Sequence, residues 1–446
     1  MGSVTNVVDA ADVPADTADL VPLTAPREGL PPVITMSAEL HAAAASLARG
    51  TGPVAIDAER ASGHRYGQRA YLIQLRRAGA GSFLVDPVAQ PDLAVINDAI
   101  TGVQWVLHAA SQDLACLDEV GLRPTAGLFD TEVAARILGR PRVGLAALVA
   151  EVLGYSLAKE HSAVDWSTRP LRTSWLVYAA LDVELLLELA DVLRADVESA
   201  GKQTAVDQEC AHVIAQAQAD AAPKPDPWRR TSGLHKVRGR RGLAVVRALW
   251  DARDRHARIA DVHPSRVLPD AALVAAAIAL PATFDALATL PEFSTTGARR
   301  HLRTWWKTIS AALTQDEAEL PATAGPSDAP PPPRSWAQRE PQAWARLEAA
   351  RSAMAALADR EQIPVENLLK PDSLRRLCWS PPSATTTSAL DASLRALGAR
   401  PWQVALVAPA IVAAWEHPIK AARSGTETAA APSASAPGED TEHPAD

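Results

Sequence analysis

Two carboxylates stand two residues apart at the end of a short apolar run: Asp57 and Glu59 in VAIDAE. Alternate side chains of a strand share a face, so this spacing sets two negative charges side by side. Like charges in that position repel and cost stability. A hard divalent cation, Mg²⁺ or Mn²⁺, offsets the cost by taking carboxylate oxygens as ligands. Asp113 fits the same chemistry. It follows a second apolar strand in WVLHAASQDLACLD, where it serves either as a ligand or as a helix-dipole partner. In WLVYAALDVELLLEL, Tyr178 and Asp182 are spaced i, i+4, one turn apart on a single helical face. Two ions about 3.5–4 Å apart on such a carboxylate set can activate water and stabilise the leaving oxygen of a phosphodiester. Asp130, just before a helix in LFDTEVAARIL, reads as a cap.

Elements of two kinds must position these groups. Residues 31–200 alternate short β-like runs (VAID, AYLIQL, SFLVD, QWVLH) with helical patterns, which indicates an α/β domain. Before it, residues 1–30 lack periodicity and are expected to be disordered. The stretch 201–227, ending in the proline-rich AAPKPDPW, reads as a linker. From 228 to 314 only helical patterns appear. Residues 315–339 include PATAGPSDAPPPPR and read as a second, semi-rigid linker. Residues 340–420 are helical again, with WARLEAARSAMAALADREQ the clearest amphipathic helix, and 421–446 read as a disordered tail.

Composition narrows the class. At 446 residues the chain is too long for one ordinary domain, and 48% apolar with 22% charged residues is a globular balance. Its three cysteines have no zinc or disulfide spacing, which fits a reducing compartment. The acidic N-terminus lacks the basic and apolar regions of a secretory signal, and Asn6 occupies the Ser/Thr position of a myristoylation motif. No apolar run approaches the ~18 residues of a membrane span. A cytoplasmic protein that engages no membrane is expected. Charge is uneven: residues 223–313 carry sixteen Lys and Arg against seven Asp and Glu, in a chain of net charge −8. Such a basic segment marks either a polyanion-binding face or a solvated helix surface. Arg238, Arg240 and Arg241 sit in its densest run, and Gly233, Gly239 and Gly242 suggest a loop entering a helix, where backbone N–H groups can meet phosphate.

The order DAE, LHAASQDL, YAALD resembles the three exonuclease motifs of the DEDD superfamily, in the subclass with Tyr in the third, and more narrowly the ribonuclease D family. YLIQL, FDTEVAARIL and VDWSTRPL sit where that family has such segments. The stretch 228–314, with LWDARDRHARIADVHPSRVLPDAAL and LPATFDALATL, resembles an HRDC domain, and 340–420 is loosely similar to a second HRDC-like unit. The resemblance implies a ribonuclease H-like fold, with a mixed sheet flanked by helices and followed by all-α helical domains, and 3′→5′ exoribonuclease activity on RNA with a free 3′ end, such as tRNA precursors, releasing nucleoside 5′-monophosphates. It also implies two divalent ions, Mg²⁺ or Mn²⁺, held by Asp57, Glu59, Asp113 and Asp182, with Asp57 bridging and Tyr178 orienting the water. No obligate protein partner is evident. A DNA-directed exonuclease shares these motifs, because they meet phosphate and not the 2′-hydroxyl. A nucleic-acid-binding module without catalysis is disfavoured by the intact carboxylate set.

One departure stands out. The family often has an aromatic residue after the first-motif Glu; here it is Arg60, which can reach a phosphate. His64, Arg65 and Tyr66 in the following loop are candidate substrate contacts or plain surface residues, and His108 at the second strand's end is a candidate substrate contact or a structural hydrogen-bonder. Lys159, Trp166 and Arg169 belong to the segment before the third motif, with Trp166 read as packing.

Overall fold

The computed structural model describes residues 20–157, 164–219, 225–325 and 328–416. Lys159, the first nineteen residues and the tail 421–446 lie outside them.

The first domain is built on a six-stranded sheet in the order β2-β5-β4-β3-β6-β7. Its strands are β2 (Val33–Ile34), β3 (Thr51–Arg60), β4 (Ala70–Ala78), β5 (Gly81–Val85), β6 (Trp105–Leu107) and β7 (Leu128–Asp130). β3 and β5 run antiparallel to β4, while β2 is parallel to β5 and β6 is parallel to both β3 and β7. β3 is central because Val54, Ala55 and Ile56 bury completely. Helices α1 (Ser37–Arg49), α2 (Ala94–Ala99), α3 (Leu114–Asp118), α4 (Thr131–Ile137), α5 (Leu145–Leu148), α6 (Thr173–Glu184) and α7 (Leu186–Ser199) flank the sheet. This is the expected mixed sheet between helices.

Three expectations about connecting segments fail. Val21–Leu23 form a strand, β1, parallel to β8 (Tyr155–Leu157). Three residues are too few for a periodic signal, so the sequence hid it. Residues 203–218 are not linker but helix α8 (Gln203–Gln218), burying Ala205, Val206 and Cys210. Its apolar positions recur at helical spacing through Val213, Ile214 and Ala217, but polar neighbours dilute the pattern. The second linker ends early: α15 (Trp336–Arg339) fully buries Trp336, whose ring lies 4.9 Å from that of Trp379.

The segment 228–314 folds as α9 (Gly239–Ala260), α10 (Pro264–Val267), α11 (Asp270–Ala279), α12 (Phe284–Ala288), α13 (Thr296–Arg300) and α14 (Leu302–Leu313), around its own core containing Trp305, Phe293 and Leu249. The C-terminal helices are α16 (Pro341–Glu361), α17 (Val365–Leu368), α18 (Pro371–Trp379), α19 (Thr387–Ala396) and α20 (Pro401–Glu416). α16 buries Leu347, Ala350, Met354 and Leu357, the helical stripe read from its sequence. These helices share one continuous apolar core with the sheet domain. At the joint, Lys202 Nζ donates to the carbonyls of Ile137 (2.8 Å) and Gln362 (3.1 Å). Gly139, at φ +75°, lies so close that a Cβ there would sit 2.5 Å from the Gln362 oxygen.

Candidate active site

β3 carries Asp57 and Glu59 onto the face that α6 covers, and α6 returns Asp182 to them. Ligand oxygens of these three residues lie within 4.8 Å of one another. The strand period and the i, i+4 spacing suffice for this convergence once α6 packs on β3 and β4. Tyr178, one turn before Asp182, donates its hydroxyl hydrogen bond to that carboxylate. Behind it, Trp166 is fully buried with its ring 6.5 Å from that of Tyr178, so Trp166 is packing, as expected from sequence. Arg169 holds the same segment against the sheet. Its Nε and Nη2 donate to Asp86 at 2.7 and 2.8 Å, and its remaining N–H groups reach the carbonyls of Tyr71, Trp166 and Thr168.

Asp113 arrives differently. After β6 the chain turns through Ala109 at φ +56° and a 3₁₀ turn at Ala110–Gln112. Asp113 then sits at the N-cap position of α3, but its side chain makes no capping hydrogen bond, so a local capping role does not explain it. Asp130 does cap. It accepts from the amides of Glu132 (2.9 Å) and Val133 (3.3 Å), and also from Ala109 (3.0 Å) and Ala110 (2.8 Å). Asp130 therefore fixes the turn that delivers Asp113, a link between segments about twenty residues apart that the sequence did not reveal.

Electrostatics show what the site lacks. Burial raises Asp57 from 3.8 to about 6, partly opposed by the Ala58 amide and Arg60. Burial, and then its carboxylate neighbours, push Glu59 well above the ordinary range. The same is true of Asp113 and Asp182. The nearby cation is Arg60, whose Nε lies 3.6 Å from Asp113 Oδ1. Among the described residues one guanidinium against four carboxylates leaves a cation deficit, and an all-oxygen donor set fits a hard divalent ion.

Several expected substrate contacts are occupied otherwise. His108 pairs through Nδ1 with the Thr131 hydroxyl at 2.9 Å, and burial pushes its pKa down to about 4. It is a neutral structural hydrogen-bonder, not a cation for phosphate. His64 and Tyr66 belong to the joint with the 228–314 domain. Arg266 Nη2 lies 2.8 Å from His64 Nδ1, and the His263 amide donates to the His64 carbonyl at 3.0 Å. The Tyr66 hydroxyl donates to Asp254 at 2.9 Å, with Arg258 beside it. Arg240 donates to the carbonyls of Glu317, Leu320 and Pro321. Arg241 pairs with the Glu317 carboxylate at 2.7 Å. The run read as phosphate-facing thus clamps its own 315–321 segment, because the acidic 316–319 stretch folds back onto α9. Arg238, the N-cap residue of α9, is exposed. Gly242 is buried against Ala277, so it is a close-packing position and not part of an open loop.

Comparison with known proteins agrees with this geometry. Residues 31–198 match a family model described as 3′-5′ exonuclease, 242–309 one described as HRDC domain, and 329–415 one described as 3′ to 5′ exonuclease C-terminal domain. Ribonuclease D of Musicola paradisiaca is 34% identical over 282 residues, covering 62% of this chain and 74% of that protein. The chain belongs to the ribonuclease D family. A solved protein from Bifidobacterium adolescentis superposes with TM-score 0.81 at 36% identity, over 89% of this chain and all of that one. Escherichia coli RNase D, titled an exoribonuclease involved in structured RNA processing, gives TM-score 0.63 at 26% identity, over 86% of this chain and 98% of that one. Like other ribonuclease D family members the protein is a metal-dependent 3′→5′ exoribonuclease. No helix among the described residues is long and apolar enough to cross a membrane.

Proposed function

We propose that this exoribonuclease removes nucleoside 5′-monophosphates from the 3′ ends of structured RNA such as tRNA precursors, in the cytoplasm, using Mg²⁺ or Mn²⁺ and no obligate protein partner. The convergence of Asp57, Glu59 and Asp182 within 4.8 Å, with Tyr178 hydrogen-bonded to Asp182, carries the reading. Asp57, Glu59 and Asp182 would hold one ion, and Asp57 with Asp113 a second. A bound pair would supply an acidified water and charge neutralisation at the phosphodiester oxygens.

The protein's own groups do the rest. Burial, and then Asp182, Glu59 and Asp57, push the Tyr178 phenol far above its usual range. It keeps its proton at working pH, so it is no base. Its O–H is held by Asp182, and the phenol oxygen would accept from the attacking water and aim it. Arg60, held by Asp113 in the free site, is the cation placed to turn toward the terminal phosphate once ions neutralise Asp113. In the helical domain, Lys236, Arg238, Arg299, Arg300 and Lys307 are exposed and would track the RNA backbone, in place of the engaged Arg240 and Arg241.

The test offers 3′-extended tRNA, single-stranded RNA and single-stranded DNA in parallel, with Mg²⁺ or Mn²⁺. Preferential release of nucleoside 5′-monophosphates from the 3′-extended tRNA supports the reading. Equal or faster degradation of DNA would refute it.

A further inference from the structure

Gln74 lies in the middle of β4, fully buried, and neither its amide nitrogen nor its amide oxygen has a hydrogen-bond partner among the described residues. A buried amide without partners is costly, and an apolar residue of similar size would avoid that cost. The flanking positions, Ile73 and Leu75, are apolar and fully buried. Some group that reaches the amide would account for its presence at this point.

The sheet register indicates what. The cross-strand partner of Gln74 on β3 is Asp57, and on β5 it is Leu84. Directly opposed residues of an antiparallel pair project to the same face, with Cβ atoms about 4.5–5.5 Å apart. Gln74 thus stands beside Asp57 on the floor of the carboxylate site, under the helix that brings Asp182. On that face Arg76, two residues along, donates to Ser82 at 2.8 Å and lies 3.5 Å from Glu184. A carboxylate that ligates an ion keeps a second oxygen, and groups that hydrogen-bond metal ligands orient them and tune affinity.

We propose that Gln74 is a positioning residue for the cation site. Its amide N–H donates to the Asp57 carboxylate oxygen that faces away from a bound divalent ion, and so fixes Asp57 in its ligating orientation. The inference rests on the metal-site reading above. Among the described residues nothing meets the amide, so its contribution is expected to appear when an ion is bound.

Titration calorimetry of Mn²⁺ into the full chain, with thermal unfolding in EDTA, tests this on wild type, Gln74→Leu and Gln74→Met. Without metal both variants should unfold at the wild-type temperature or above it. Mn²⁺ affinity should fall about 10–100-fold. The Mn²⁺ concentration for half-maximal cleavage should rise by the same factor, with the rate at saturating Mn²⁺ little changed. Wild-type Mn²⁺ affinity in both variants would overturn the inference. So would a lower unfolding temperature of both in EDTA, since the amide would then serve the metal-free fold. Absence of Mn²⁺ binding by the wild type would instead remove the metal site itself, a distinguishable failure.

Discussion

Replacing Asp57 by asparagine should make the metal-free protein more stable at alkaline pH while abolishing cleavage. The folded-state pKa of Asp57 is about 6 against an ordinary 3.8. Below pH 3.8 the group is protonated in both folded and unfolded chains and contributes no difference. As pH rises toward 6, the unfolded chain gives up its proton while the folded one retains it, so stability falls. Above 6 the loss is complete. A shift of roughly two units at about 1.36 kcal/mol each corresponds to about 3 kcal/mol, an upper figure because neighbouring carboxylates share it. The carboxamide of the Asp57→Asn variant cannot ionise and escapes this loss. Urea unfolding in EDTA should therefore show variant and wild type close to each other near pH 4 and separated by about 1–3 kcal/mol, variant above, near pH 8. Adding Mn²⁺ at the higher pH should stabilise the wild type and leave the variant nearly unmoved. A variant less stable than wild type under those alkaline conditions, or a gap that does not change with pH, would refute the claim that burying the Asp57 charge destabilises the metal-free fold.

Activity should vanish in excess EDTA and survive a zinc-selective chelator, as judged by nucleotide release. Tyr178→Phe should lower kcat by about 10²-fold on a short oligonucleotide with KM within about twofold, and the wild-type pH profile should show no phenol ionisation below about pH 10. Neutralising Arg240 and Arg241 together should destabilise the HRDC domain by about 1–3 kcal/mol in denaturant melts and leave the salt dependence of RNA binding intact. Neutralising Arg299 and Arg300 should reduce the slope of log K against log salt, measured on single-stranded RNA, by roughly 0.7 for each phosphate no longer neutralised.

The carboxylate face was legible because its geometry is local. Asp57 and Glu59 need only the two-residue period of a strand, and Tyr178 and Asp182 only one helical turn. Asp113 was legible by type, but its placement depends on Asp130 holding the Ala109–Ala110 turn, which no single-segment pattern encodes. The same holds for Arg60, whose partner Asp113 is distant in sequence, and for Tyr66, which meets Asp254 across 188 positions. The arginine run misled because charge density says nothing about which acidic segment folds back on it. Gln74 left one faint signal, a lone polar residue inside the apolar YLIQL.

The shared apolar core has a consequence for how this chain can be rearranged. Trp402 donates to Glu209 at 2.8 Å, Arg400 pairs with the same carboxylate at 2.6 Å, and α20 packs on α8, which itself lies on β7. The HRDC helices have a core of their own and meet the sheet domain through the polar 63–67 loop. What looks like three beads on a string is therefore two separable parts, a catalytic body assembled from both ends of the chain and one detachable insert. Grafting another nucleic-acid-binding module between residues 225 and 325 is open to recombination. Exchanging the C-terminal helices is not, because a foreign set would have to reproduce the fit at Gly139 and Lys202 before the nuclease could close its own interior.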